Sequence, residues 1–162
     1  MTIALIPGSF DPFHNGHLEV VERATRQFDS VVVAALRNPQ KSDACFTLEQ
    51  RREMMAASMA HLPTVSIVSV GTLLVEVAKE VKATVIVKGL RAVSDFESEL
   101  QMAQMNRQLS GVETLFIPTS SSHSFVASRL LREVARYGGD VSAFVPPPVN
   151  RALIEKFQGE NS

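Results

Sequence analysis

A doubly wound α/β fold on a parallel sheet is what this sequence predicts, and three observations predict it. Short runs rich in Val and Ile alternate with longer amphipathic stretches. Those runs are apolar at nearly every position rather than at every second one, and only helical pattern follows the last of them. Strands buried on both faces need helices on both faces, and parallel neighbours need crossovers, which the amphipathic stretches supply.

The elements follow in order. "TIALIP" (2–7) reads as a buried strand and "NGHLEVVERATRQF" (15–28) as a helix. "SVVVAAL" (30–36) is the second strand, and "TLEQRREMMAASMAHL" (47–62) is a helix in which Thr47 and Gln50 have capping-box spacing. "TVSIVSV" (64–70), "LLVEVAKEVK" (73–82) and "TVIVKGL" (84–90) continue the alternation. "SDFESELQMAQMNRQLS" (94–110) is a helix with a second capping-box spacing, Ser94 to Glu97, and "ETLFIPT" (113–119) is the fifth strand. "HSFVASRLLREVARYG" and "PPVNRALIEKF" close the chain as helices. The expectation is a Rossmann-like five-stranded sheet with a helical C-terminus, in one domain over 1–162.

Composition narrows the function. Apolar residues make up 45% of the chain and charged residues 20%, an ordinary balance for a soluble domain. A net charge of −1 gives no basic field to draw in nucleic acid, so any anion must be held locally. One cysteine, Cys45, excludes an internal disulfide framework and suits a reducing cytoplasm. The N-terminal "MTIALIPGSF" lacks the basic region of a signal peptide, and no apolar run approaches a membrane span. Absent too are a nucleophile elbow, H-E-x-x-H, C-x-x-C, a P-loop and G-x-G-x-x-G.

In an open parallel sheet, ligands bind beyond the carboxyl ends of the strands, so the loops after Pro7, Leu36, Val70, Lys88 and Pro118 should carry the chemistry. After the first strand stands "PGSFDPFHNGH". Gly8 and Pro12 serve the turn, and Gly16 is expected to let the helix N-terminus come close to a ligand. His14 and His17, three apart, fall on one side of a first helical turn whose unpaired N–H groups attract anions. "RNPQKSDACF" places Lys41 beyond the second strand. In "VKGLRAVSDFESE", Gly89 separates Lys88 from Arg91, a spacing expected to bring backbone and two cations onto one phosphate. "SSSHSFVASRLLRE" offers small hydroxyl residues ahead of a helix.

"GSFDPFHNGH" resembles the H-x-G-H signature of the nucleotidyltransferase superfamily, related to class I aminoacyl-tRNA synthetases. The chain is too short for a synthetase and has no K-M-S-K-S-like element. "PGSFDPFHNGHLEVVERA", "FTLEQR", "KGLRAVSDFESELQMAQMNRQL" and "SFVASRLLREVARYGGDVSAFVP" are similar, in order, to bacterial phosphopantetheine adenylyltransferases over most of residues 3–146. The resemblance implies transfer of the adenylyl group of ATP to 4′-phosphopantetheine, giving dephospho-CoA and pyrophosphate. It implies catalytic roles for His17, Lys41 and Arg91. It implies an ATP site of Ser9, Phe10, His14, His17, Gly89, Leu90, Arg91, Glu99, His123, Ser124, Ser128 and Arg129. Ser9, Lys41, Leu74 and Lys88 would meet the acceptor. Mg²⁺ would be carried by the ATP phosphates with no metal ligand from the protein, CoA would be a feedback ligand, and the assembly would be a homohexamer.

Lys88 stands where many relatives have arginine, Ser98 where an aromatic residue is usual, and Ala127 and Arg129 depart from the relatives' serine-rich helix start. Two rival readings remain open at this level. One is a sister enzyme acting on nicotinamide mononucleotide, or on a phosphorylated alcohol with CTP. The other is a nucleotide sensor that retains the crevice without the chemistry.

Overall fold

The computed structural model describes residues 1–37 and 44–160. Eleven elements alternate along it: β1 (Ile3–Gly8), α1 (Asn15–Thr25), β2 (Ser30–Leu36), α2 (Leu48–Ser58), β3 (Val65–Val70), α3 (Leu74–Glu80), β4 (Val85–Leu90), α4 (Val93–Ser110), β5 (Glu113–Pro118), α5 (Ser128–Arg136) and α6 (Pro147–Glu160). The five strands form one parallel sheet in the order β3-β2-β1-β4-β5, the doubly wound Rossmann-like arrangement that the strand pattern predicts. No helix among the described residues is long and apolar enough to cross a membrane.

The period of two along each strand explains why the central runs are apolar throughout. Ala4, Ile6, Val31, Val33, Val85 and Val87 face one side, where they meet Val20 and Val21 of α1, Met55 of α2, Leu131 of α5, and Val149 and Leu153 of α6. Leu5, Val32, Ala34 and Ile86 face the other, against Val77 and Ala78 of α3. Val31, Val33 and Val87 have no exposed surface, so the sheet centre is closed from both sides.

The strands do not stay paired along their whole length. β1 runs beside β2 from Ile3↔Ser30 to Gly8↔Ala35, and β4 runs beside β5 as far as Leu90↔Pro118. Between β1 and β4 the register covers only Ala4↔Val85 and Leu5↔Ile86. The two strand pairs therefore part at their carboxyl ends, at the point where the strand order reverses.

Element ends depart from expectation in two places. The helix after β4 begins at Val93 with Ala92 as its N-cap and no side-chain cap bond, so the Ser94–Glu97 capping box is not its start signal. The capping box at Thr47 and Gln50 forms in full. The helical reading from His123 is too early: α5 begins at Ser128, after turns closed by His123 N–H to Ser120 O and Val126 N–H to His123 O.

Gly89 is explained by packing. A Cβ there would come within 2.9 Å of Val20 Cγ2, so its bare backbone lets α1 lie against β4. The predicted phosphate approach is not what excludes a side chain at this position. Gly89→Ala should lose about 1–3 kcal/mol of stability, because a β-branched helix residue has little rotamer freedom to retreat. Urea unfolding of the double variant with Val20→Ala should show less than the sum of the two losses; strict additivity would show that Val20 is not the obstacle.

Candidate active site

The gap between β1 and β4 opens into a cavity of about 850 Å³. Of the sequence-predicted residues, Ser9, Phe10, His14, His17, Lys88, Gly89, Arg91, Glu99, His123, Ser128 and Arg129 all line it. Lys41 lies outside the described residues. Leu74, Leu90 and Ser124 are not in the lining: Leu74 packs beside the Leu5–Val32 cluster, Leu90 O takes the Thr119 N–H at 2.9 Å, and the Ser124 hydroxyl donates to Ser121 O at 3.1 Å.

The floor is the N-terminus of α1, capped in an unusual way. His14 is the N-cap residue, and its Nδ1 accepts the N–H groups of Gly16 at 3.1 Å and His17 at 3.3 Å. His17 Nδ1 accepts the His14 N–H at 3.2 Å, so two histidines form a reciprocal capping box. The rings stack with centroids 3.6 Å apart, and Phe10 meets His17 edge-on at 4.9 Å. Gly16 makes the cap possible: a Cβ there would lie 2.9 Å from the His14 ring. Its missing side chain thus admits an imidazole, not the ligand that the sequence reading assigned to that space.

Both rings are neutral. Burial above all, and then the Arg91 guanidinium and the proximity of His123, lowers His14 to about 3. Burial, followed by His14, Arg91 and Lys88, holds His17 well below its ordinary value. With Nδ1 an acceptor, each neutral ring carries its proton on Nε2. The helix end therefore presents uncharged N–H donors where its dipole already favours an anion.

The loop before the cap is tied from three sides. Arg51 of α2, almost fully buried, donates from Nη1 to Ser9 O at 2.6 Å and Leu36 O at 3.2 Å. Arg132 of α5 donates to Asp11 O at 2.5 Å, and the Ser128 hydroxyl donates to Pro12 O at 2.8 Å. The Asp11 carboxylate takes the N–H groups of Cys45 and Phe46 at 2.8 and 2.9 Å. Phe10, at φ 49°, holds the left-handed backbone that is uncommon outside glycine, and its ring folds over Gly8. Asn15 fixes the helix end to the C-terminal segment through Phe144 O and Ala143 O.

The walls are cationic, and several of the charges are already paired. Lys88 Nζ lies 3.2 Å from Glu99, and Arg91 Nε lies 3.1 Å from Asp95 while its Nη1 reaches Val126 O at 3.3 Å. Arg37, Arg51, Arg129 and Arg132 also line the cavity. Among the described residues the lining holds three carboxylates: Asp11 is committed to backbone, and Asp95 and Glu99 are paired with cations. Cys45 is off the lining, and burial with Asp11 nearby pushes its thiol up to about 11, so it stays protonated.

Sequence reasoning missed Arg51 and Glu19. Glu19 accepts from the Ser120 N–H and hydroxyl and pairs with His123 at 2.9 Å, although Ser120 and His123 lie 101 and 104 residues further along. No local pattern marks such a partner.

Residues 5–134 match the model of the cytidylyltransferase-like family. Among solved structures, a Vibrio parahaemolyticus protein assigned as a nicotinate-nucleotide adenylyltransferase aligns with a TM-score of 0.64. The alignment spans 99% of this chain and 94% of that one at 18% identity, a likeness of fold.

Neutral buried histidines tie stability to pH. An unfolded histidine takes up its proton near 6.5, whereas folded His14 refuses it until about 3. Its contribution is complete above pH 6.5 and is lost as the pH falls toward 3. His14→Asn keeps a capping acceptor and removes the titration. Between pH 7 and 5 the wild type should lose about 2 kcal/mol more unfolding free energy than this variant; equal losses would mean that His14 is not held neutral.

Proposed function

We propose that this chain, which belongs to the cytidylyltransferase-like family of nucleotidyltransferases, transfers the adenylyl group of MgATP to 4′-phosphopantetheine, giving dephospho-CoA and pyrophosphate. One observation carries the transfer reading: a helix N-terminus with two neutral imidazole donors opens into a cavity walled by cations, with no activated nucleophile among the described residues. Such a site suits a reaction whose substrates bring both nucleophile and leaving group. The acceptor is carried by the sequence segments that resemble phosphopantetheine adenylyltransferases from the first loop through α5.

In this reading an oxygen of the acceptor's phosphate attacks the α-phosphorus of ATP. A bond forms between them as the bond from the α-phosphorus to the bridging oxygen breaks, and the electron pair leaves with pyrophosphate. A phosphate monoester is largely dianionic at neutral pH, so no general base is needed. His17 donates from Nε2 to the α-phosphate as negative charge shifts across it. Arg91 and Lys41 neutralise neighbouring oxygens. Lys88 and Ser9 orient the acceptor phosphate, which competes with Glu99 for the Lys88 ammonium. Mg²⁺ belongs to the nucleotide substrate and offsets the charge of the leaving pyrophosphate.

A second reading differs only in the acceptor. The solved relative from Vibrio parahaemolyticus is assigned as a nicotinate-nucleotide adenylyltransferase, and nicotinate mononucleotide also presents a phosphate monoester. Pyrophosphate release from purified protein with MgATP, supplied in turn with 4′-phosphopantetheine and nicotinate mononucleotide, separates the two. Release that depends on 4′-phosphopantetheine alone is expected; release with the mononucleotide alone would transfer the assignment. His17→Ala should lower kcat about 10²–10³-fold, the usual loss on removing one charge-stabilising donor. Turnover close to wild type would remove His17 from the chemistry.

A further inference from the structure

The histidines of the cavity are held in opposite hydrogen-bonding states. His14 and His17 accept backbone N–H groups at Nδ1, so their neutral rings donate from Nε2. His123 is reversed. Its Nδ1 lies 2.9 Å from the Glu19 carboxylate, which can only accept, so Nδ1 carries a proton. In the Nδ1–H tautomer Nε2 is an acceptor, and no partner for it stands among the described residues.

Glu19 is itself fixed. The Ser120 N–H reaches its two oxygens at 3.1 and 3.3 Å, the Ser120 hydroxyl donates at 3.0 Å, and Arg23 stands 3.6 Å away. Burial works to raise its carboxyl, but the bonds from His123 and Ser120 outweigh that and hold it below its ordinary value. The acceptor role of Glu19 is therefore stable at neutral pH, and with it the orientation of the His123 ring.

The position of this ring suits the base end of a nucleotide. His123 stands beside the first turn of α1, its Cβ 3.7 Å from where a Gly16 Cβ would lie. Val126 and Ala127 continue that wall with apolar surface. Phosphates are drawn to the imidazole donors and to Lys88 and Arg91. Beside His123 the wall is apolar at Val126 and Ala127 and polar at Ser128 and Arg129, a surface that suits a flat heterocycle with a peripheral N–H group.

We propose that Glu19 and His123 read the nucleobase: Glu19 positions His123, and His123 Nε2 accepts a hydrogen bond from an exocyclic amino group. The pair thereby selects adenine or cytosine over hypoxanthine or uracil, which carry oxo groups at the corresponding positions. This rests on the cavity being a nucleoside triphosphate site. Glu19 sets the sign of the selection. An amide at position 19 can donate to Nδ1, move the ring proton to Nε2 and turn an acceptor into a donor, which faces an amino group badly and an oxo group well.

Calorimetry of the purified full chain with the Mg²⁺ complexes of ATP, ITP, CTP and UTP tests the proposal, because each purine or pyrimidine pair exchanges amino for oxo. The wild type should bind the amino member of its preferred pair about tenfold more tightly. Glu19→Gln and His123→Phe should both bring that ratio near one, Glu19→Gln partly by strengthening the oxo member. Nitrogen-15 NMR of the wild type should show the Nδ1–H form for His123 and the Nε2–H form for His14 and His17. Equal binding by the wild type, a ratio that survives both variants, or an Nε2–H form for His123 would overturn the pair. Selective binding without pyrophosphate release from any acceptor would overturn the transferase reading alone. Release without base selectivity would overturn the pair alone, and binding of none of the four nucleotides would overturn both.

Discussion

The parting of β1 from β4 is the constraint on which the rest of this molecule depends. β1 is bonded to β2 along its whole length, and β4 to β5, so neither strand can turn toward the other beyond Leu5 and Ile86 without breaking a ladder already made. Crossover helices leave the two halves on both faces, and the sheet centre is fully buried. The gap at the carboxyl ends is therefore a product of connectivity, held open by hydrogen bonds rather than by a flexible loop. The residues with a chemical vocabulary, His14, His17, Lys88 and Arg91, come from the two sides of that gap.

The histidine grip depends on a rigid surround. A helix N-terminus ordinarily takes Ser, Thr or Asp as its cap, because a short oxygen reaches the free N–H groups easily. An imidazole reaches them only if its ring can lie flat against the backbone, which Gly16 permits, and only if the ring is unprotonated, which burial ensures. Arg51, Arg132 and Ser128 then hold the carbonyls of Ser9, Asp11 and Pro12, so the approach to the cap is set by two other elements of the fold, α2 and α5. The left-handed backbone of Phe10 persists in that setting.

Much of this was legible in the residues themselves. The second strand, Ser30–Leu36, coincides with its apolar run, since polar residues bound it on both sides, and Thr47 with Gln50 announces the start of α2. The H-x-G-H pattern pointed to a helix N-terminus with both histidines on one side, and their rings do stack there. What sequence periodicity could not convey is which neighbour occupies a space. Gly16 and Gly89 were both assigned to ligand approach, but His14 and Val20 fill those positions. Residues 123–127 carry helix-compatible spacing, yet Glu19 holds Ser120 and His123 in turns ahead of α5. Arg51 serves Ser9 from 42 residues away, a relation with no local signature.

One consequence of the neutral cap concerns ionic strength. Attraction between free ions is screened over about 10 Å in ordinary buffer, whereas a hydrogen bond from an uncharged donor at contact distance is barely screened at all. Lys88 and Arg91 are balanced by Glu99 and Asp95, and the chain as a whole carries a charge of −1. The long-range pull on a polyanion therefore falls to the other arginines of the wall, Arg37, Arg51, Arg129 and Arg132, and the imidazoles add a hold at contact. As salt rises, the long-range part of such a hold fades while the contact part persists.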